Sequence, residues 1–475
     1  MTAKAFVEEK VMDDRRASGL SFGEAHFGTA QLGDRRRTKR LVQLADRIVR
    51  HPGETLPIKI NDPASLKACY RLMDCEPVTH EAVLAPAREL TMRLIEEVRG
   101  TVLLIHDTTE LDYTGLTSLP GLGQIGNGSH RGYVTHNTLA IVAETREVIG
   151  LAYQKLAKRP QARKDETREE MRARPDRESR LWKKASDTLP ASSKGQRIVE
   201  IADRAADVLE YLDALQVAGK HYVVRSKSNR RIRLENGEQT KLHDYVRALP
   251  AQDSKAIQVP ARVGQPARSA QVSISWAPVT LLIPPAPRGE YRGIPLKTWV
   301  ICVREVNPPT KVEGVEWILL TNVSVENSHD AAERICWYEC RWIVEEYHKA
   351  LKTGCGVQQL QFTTEERLQP AIALLSVIAV SLLKLRDVGR GPAAATNRAT
   401  DYFSDLEVKA LSLWRYNEPR TDLTVHEFYY ALARLGGHQN RKNDHPPGWL
   451  VLWRGWTQLQ PMIATAQKLG LGKCG

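Results

Sequence analysis

TVLLIHD, residues 101–107, is a run of apolar residues closed by an acid, and RIVEIAD, residues 197–203, repeats the pattern. Runs of this kind read as strands buried on both faces, the strands of a sheet covered by helices. A helix expected over residues 80–99 leads into the first. Two further strands are expected at residues 138–144 and 148–154, with Arg146 and Glu147 at a tight turn between them. An acid at the C-terminal end of a buried parallel strand points into the crevice where ligands of open α/β sheets sit. Asp107 and Asp203 hold such positions, and either one alone could equally cap the turn that follows it.

A third acid comes from WYECRWIVEEYHKALKTG, residues 337–354, the end of a helix expected over residues 329–352. At helical spacing Tyr338, Arg341, Glu345, Lys349 and Lys352 fall within a stripe about 80° wide. Cys336, Cys340, Ile343, Val344, Tyr347, Ala350 and Leu351 form an apolar surface opposite. The stripe could be a solvated face, with an Arg341–Glu345 pair worth only tenths of a kcal/mol. Phosphodiester chemistry accounts for all its parts together. Three carboxylates can hold two Mg²⁺ ions about 4 Å apart, one activating the attacking oxygen and one stabilising the leaving oxygen. Magnesium takes a few carboxylates, waters and phosphate oxygens, so no His or Cys cluster is required. The cations neutralise a DNA phosphate, and Tyr338 can hydrogen-bond to it.

Around this core the chain divides into three. Residues 1–85 read as helical. Asp34 is the expected N-cap of RRRTKRLVQLADRIVR, whose Leu41, Leu44, Ile48 and Val49 share one face while Arg35, Arg36, Arg37, Lys39, Arg40, Arg47 and Arg50 crowd the rest. So many bases with almost no acids point to DNA contact. Residues 63–72 read as a second helix. Strands at 221–227, 256–263, 270–283, 297–306 and 317–321 crowd between Asp203 and the next helix, and read as a β-rich insertion, about 228–325, in an α/β domain spanning 86–387. Residues 371–383 read as a buried helix too short to span a bilayer. A Gly/Pro/Ala linker at 389–395 opens a helical, basic C-terminal region, 388–475.

The formal charge of +12 favours a polyanionic partner. The first thirty residues mix acids and bases without an apolar stretch, so a cytoplasmic protein without a secretory signal is expected. Seven cysteines without paired CxxC spacing read as structural thiols.

The set LLIHDTT, IADRAAD and Y-x2-R-x3-E-x6-K resembles the DDE transposases of the bacterial insertion-sequence group with the YREK signature. LGDRRRTKRLV, YVVRSK, EWILLT, RWIVEEYHKALKTG, LARLGG and WLVLWRGW extend the resemblance along most of the chain. It implies a ribonuclease-H-like catalytic core flanked by an N-terminal helical DNA-end-binding domain, including Arg36 and Arg40, and a C-terminal dimerisation domain. It also implies Asp107, Asp203 and Glu345 as ligands of two Mg²⁺ ions, replaceable by Mn²⁺. Tyr338, Arg341 and Lys352 would grip a terminal phosphate, with Lys349 on the same stripe. Trp317 would stack on a flipped base near the transposon end, and Arg225 would support the same strand. Glu346 is the second choice for the helical acid.

The implied reaction is cut-and-paste transposition: nicking, hairpin formation and opening, then strand transfer into target DNA within a homodimeric synapse. The implied setting is the bacterial nucleoid, with no membrane or organic cofactor. Ala205 and the pair Tyr133-Val134 depart from the residues that relatives carry, Glu and two tryptophans. Two rival readings stand beside this one: a ribonuclease-H-like nuclease without strand transfer, and a non-catalytic DNA-binding inhibitor of transposition.

Overall fold

The computed structural model describes residues 20–51, 55–159, 165–167, 170, 174–259, 266–284, 292–310, 312–441 and 444–469. It begins with helices α1 (Phe22–Phe27), α2 (Arg35–Arg50), α3 (Leu56–Ile60), α4 (Pro63–Met73) and α5 (His80–Glu97). Asp34 caps α2 as expected, its side chain accepting from the Arg36 amide at 2.8 Å. Leu41, Leu44, Ala45 and Ile48 are buried. They join one continuous apolar core with the sheet and the later helices. Lys59 enters that core too: it is wholly buried, its Nζ donating to the Cys355 carbonyl at 2.9 Å.

The sheet follows with β1 (Gly100–Asp112), β2 (Gly123–Gln124), β3 (Arg131–Val142), β4 (Val148–Ala157), α6 (Leu181–Ser186), β5 (Gln196–Ala202), α7 (Leu209–Val217) and β6 (His221–Arg225). β1, β5 and β6 run parallel; β3 pairs antiparallel with β1, and β4 with β3. The β1–β5 ladder ends at His106↔Ala202, so Asp107 and Asp203 each stand one residue past the last parallel pair. One expectation fails here. β1 does not stop at Asp107 but runs on to Asp112, because β3 starts at Arg131 and pairs with it throughout, Asp107 facing Asn137. The polar residues Thr135–Asn137, ahead of the expected strand, lie inside it, and with Thr138 they are buried.

Next come β7 (Arg231–Arg233), β8 (Gln239–Lys241), α8 (Leu242–Ala248), β9 (Asp253–Val259), β10 (Arg268–Leu281), β11 (Leu296–Glu305) and β12 (Glu316–Thr321). β12 pairs with β6, β11 with β12 and β10 with β11. The inserted strands therefore lengthen the same sheet, to twelve strands among the described residues. Residues 260–263, expected to complete one of them, lie outside the described residues.

The helix expected over 329–352 is instead α9 (Ser328–Glu339), α10 (Trp342–Lys349) and a wide π turn, Ala350–Gly354. At the junction the amides of Cys340, Arg341, Ile343 and Val344 all bond three residues back. This tightening breaks the 100° step. Tyr338 is consequently buried, not aligned along an open stripe.

The chain closes with α11 (Glu365–Arg390), α12 (Asp405–Tyr416), α13 (Val425–Leu435) and α14 (Trp449–Lys468). At 26 residues α11 is much longer than expected, and by length and composition alone could cross a membrane, but most of its apolar stretch is buried inside the fold. The linker also starts later than expected. Gly389 lies in the last turn of α11, where an added Cβ would stand 1.8 Å from the Tyr429 ring.

Candidate active site

Asp107 and Asp203 reach the same crevice from adjacent parallel strands. Asp203 also caps the turn after β5, its Oδ1 accepting from the Ala205 amide at 2.9 Å. The capping reading and the crevice reading thus describe one residue. Asp107 accepts from the Thr108 amide at 2.8 Å. Burial first, and then the neighbouring Asp203, push its carboxyl up to about 7. Glu345 on α10 adds to that push, while Arg341 opposes it.

Arg341 joins the strands to the helix. Its Nη2 donates to Glu345 Oε1 at 2.6 Å, and its Nη1 stands 3.6 Å from Asp107 Oδ2. Asp107 and Glu345 are therefore neighbours around one guanidinium, and Asp203 stands beside Asp107. They are not drawn into a closed ligand set: among the described residues no three His, Cys, Asp or Glu side chains are gathered tightly enough to hold a metal ion. The neighbouring acids disfavour the charged form of Asp107, and the guanidinium supplies a balancing charge between Asp107 and Glu345.

The other expected site residues divide. Tyr338, Arg225 and Trp317 gather beside the acids. Arg225 hydrogen-bonds Tyr338 and donates to the Glu316 carbonyl at 2.6 Å, while the half-buried Trp317 meets the Tyr338 ring edge-on at 5.6 Å. Burial pushes the Tyr338 phenol up, against the pull of Arg341 and Arg225. Lys352, in the π turn, is half-buried and feels Glu110 of β1. Lys349 is exposed at the end of α10. Glu346 points elsewhere, to an ion pair with Arg386 of α11. Far from the crevice, Arg36 is 95% exposed on α2. Arg37 and Arg47 on the same helix are tied to the Leu32 and Ile60 carbonyls.

Two groups of residues near the site escaped the sequence reading. Glu110 takes bonds from the Gly126 amide and Arg159, which outweigh burial and lower its pKa, and it faces Lys352. Asn137, Gln154 and His348 form a buried polar chain under α10. The signal for the latter was present: four consecutive polar residues, Thr135–Thr138, inside an otherwise apolar strand. The six described cysteines are free thiols.

Crowded carboxylates at a sheet crevice, hemmed by arginine, lysine and a phenol, are groups chemically suited to cations and phosphodiesters. The family comparisons narrow that chemistry. Residues 21–78 match the transposase DNA-binding family, and residues 176–382 match the transposase DDE domain family. The chain is a DDE transposase, an enzyme of metal-dependent DNA cleavage and strand transfer, with a transposase DNA-binding domain in its N-terminal helices. Its family uses divalent metal ions, typically Mg²⁺. Arg36 and Arg40 fall within the first match. Asp203 and Glu345 fall within the second, and Asp107 lies outside both.

Proposed function

We propose that the chain is a cut-and-paste transposase of the YREK-signature group, close to the transposase of the composite kanamycin-resistance transposon, with a ribonuclease-H-like core. Asp107, Asp203 and Glu345 are its metal ligands. The observation that carries this reading is Arg341, one cation bonded to the helical acid and paired with the strand acid. The residues fit divalent ions. Their donors are hard oxygens, and both causes that lift Asp107 to about 7, burial first and then the Asp203 charge, are ones a bound cation offsets. Two Mg²⁺ ions, replaceable by Mn²⁺, would supply an activated oxygen nucleophile and stabilise the leaving 3′-oxygen.

The chain's own residues hold the DNA. With ions balancing the acids, Arg341 turns its charge to a phosphate, joined by Tyr338, Lys349 and Lys352. Trp317, edge-on to Tyr338, offers its remaining face to an unstacked base, and Arg225 fixes the Tyr338 hydroxyl beneath it. Arg36 and Arg40 contact the transposon-end backbone. The reaction is four in-line displacements at phosphorus. Water frees a 3′-hydroxyl, that hydroxyl attacks the opposite strand to close a hairpin, water reopens it, and the 3′-hydroxyl joins target DNA. Residues 1–85 recognise the end, 86–387 perform the chemistry, and 388–475 dimerise within the synapse. The protein works in the bacterial cytoplasm, on the nucleoid.

The test is to incubate the protein and Mg²⁺ with DNA bearing the sequences that flank its own gene, then resolve the products on denaturing gels. Hairpin ends and joined target are expected. Hydrolysed linear products alone favour a nuclease, and binding without cleavage favours an inhibitor. Unchanged cleavage in Asp107→Ala, Asp203→Ala or Glu345→Ala would overturn the site.

A further inference from the structure

We propose that Asn137 is a positioning residue that sets where Glu345 stands relative to Asp107, acting through His348. This rests on the reading of Glu345 as a metal ligand. The link is a short chain of single contacts. Asn137 on β3 is the register partner of Asp107 on β1, so the backbone ladder fixes one to the other. Its Nδ2 donates to His348 Nε2 at 3.1 Å. His348 lies three residues after Glu345 on α10, on the neighbouring turn of the helix.

The amide is committed to this orientation. Asn137 is wholly buried, and its Oδ1 accepts from Gln154 Nε2 at 2.8 Å and Thr135 Oγ1 at 3.2 Å. The Nδ2 edge thereby faces His348, with a longer bond to the Thr135 carbonyl at 3.4 Å beside it. Gln154 is anchored in turn: Nε2 also donates to Ser376 Oγ at 2.9 Å on α11, and Oε1 lies 3.0 Å from His80 Nε2 on α5. The chain therefore ties α10 to β3, β4, α11 and α5. His348 must accept at Nε2, which requires the neutral ring, and burial keeps it neutral by pushing its pKa down to about 3. An apolar contact could dock α10 equally firmly but would leave it free to slide; hydrogen bonds between fully satisfied buried groups fix one register.

Groups behind a metal ligand set its orientation, and losing one costs roughly 10–100-fold in metal affinity. The experiment measures Mn²⁺ binding to the full chain by electron paramagnetic resonance, with melting temperature recorded in parallel. Asn137→Leu should weaken Mn²⁺ binding by roughly tenfold or more. His348→Leu, which removes only the acceptor on the helix, should do the same, and it carries the test if Asn137→Leu does not fold. His348→Gln, whose amide oxygen can accept the same hydrogen bond, should restore affinity to near the parent value. A lower melting temperature with parent-like Mn²⁺ affinity in the Leu variants overturns the proposal, because a residue that only stabilises the fold gives that result. Glu345→Gln is the separate control. If it binds Mn²⁺ as tightly as the parent, the ligand assignment has failed, not the positioning link.

Discussion

Glu345 and Glu346 are adjacent on α10, and each joins an arginine that reaches a second acid. Glu345 bonds Arg341, which stands beside Asp107. Glu346 pairs with Arg386, which bonds Asp387. By composition and exposure the two groups are near twins: the glutamates are 38% and 41% exposed, the aspartates 16% and 12%. They differ in what is left unsatisfied. Asp387 Oδ1 takes two guanidinium bonds, at 2.6 and 2.8 Å, and Oδ2 takes the Val148 amide at 3.2 Å. Asp107 has one backbone bond, a guanidinium 3.6 Å away and a second acid, Asp203, pressing on it. The first group has spent its acceptor capacity on the fold. The second keeps acceptor capacity open.

The sharpest way to break this contrast is to remove each glutamate's charge. Glu345→Gln should slow Mg²⁺-dependent cleavage of the transposon ends by about 10³-fold, since the ions contribute several kcal/mol to the barrier. Glu346→Gln should leave the rate within a few-fold. A gel assay of end cleavage reads both, and equal losses would erase the distinction between the two acids.

Asp107 also makes a pH prediction. Its pKa rises from 3.8 to about 7 on folding, chiefly by burial. Well below pH 3.8 the acid is protonated folded and unfolded, and it contributes nothing. As pH rises the unfolded chain ionises first, so stability of the metal-free protein falls across pH 4–7, by a total on the order of 4 kcal/mol. Asp107→Asn should flatten that decline, making the variant the more stable protein at pH 8. Denaturant titrations in chelator across this range measure it, and parallel curves for variant and parent would contradict the assignment.

Stability separates the two arginines. Arg386→Ala leaves Asp387 buried without its partner and should cost about 3 kcal/mol. Arg341→Ala should cost about 1 kcal/mol or less, because Asp107 never formed a hydrogen bond to it and Glu345 is partly solvated. Chemical denaturation of the two variants ranks them, and the reverse order would show that the Arg341 group, too, is structural.

How much of this could be read from the chain follows from the same distinction. TVLLIHD and RIVEIAD revealed the sheet because buried parallel strands show as short, largely apolar runs, interrupted in the second only by the buried Glu200, and both acids fell where that pairing stops. The spacing of Arg341 and Glu345 survived because it lies within one turn. Tyr338 to Arg341 did not behave as a helical step, because hydrogen bonds three residues back tightened the chain between them. That choice is made by tertiary packing and leaves no local mark. Asn137 escaped for the opposite reason: polar residues ahead of an apolar run look like a loop until a buried partner is known, and Gln154, placed at the end of a strand, gave no sign of that partner. Spacing alone put Glu345 ahead of Glu346, and the partners across space, Asp107 for one and Asp387 for the other, show how they differ.

The smallest expected effect tests whether the open group faces DNA. Each phosphate neutralised by a side chain contributes about 0.9 to the slope of log K against log salt. Arg36→Ala, on a side chain 95% exposed, should lower the slope for transposon-end binding by about that amount, as should Arg40→Ala. Arg341→Leu should do the same once divalent ions release the guanidinium, and Arg386→Leu should not change it. Fluorescence anisotropy with a labelled end duplex, at several salt concentrations and in Ca²⁺ to hold cleavage back, resolves changes of this size. If the Arg341 slope matches the parent while the Arg36 slope falls, Arg341 serves the acids alone, and the phosphate grip must come from Lys349 and Lys352. The closed group gives the baseline: whatever Arg386→Leu does to affinity is the effect of altering the fold without touching DNA.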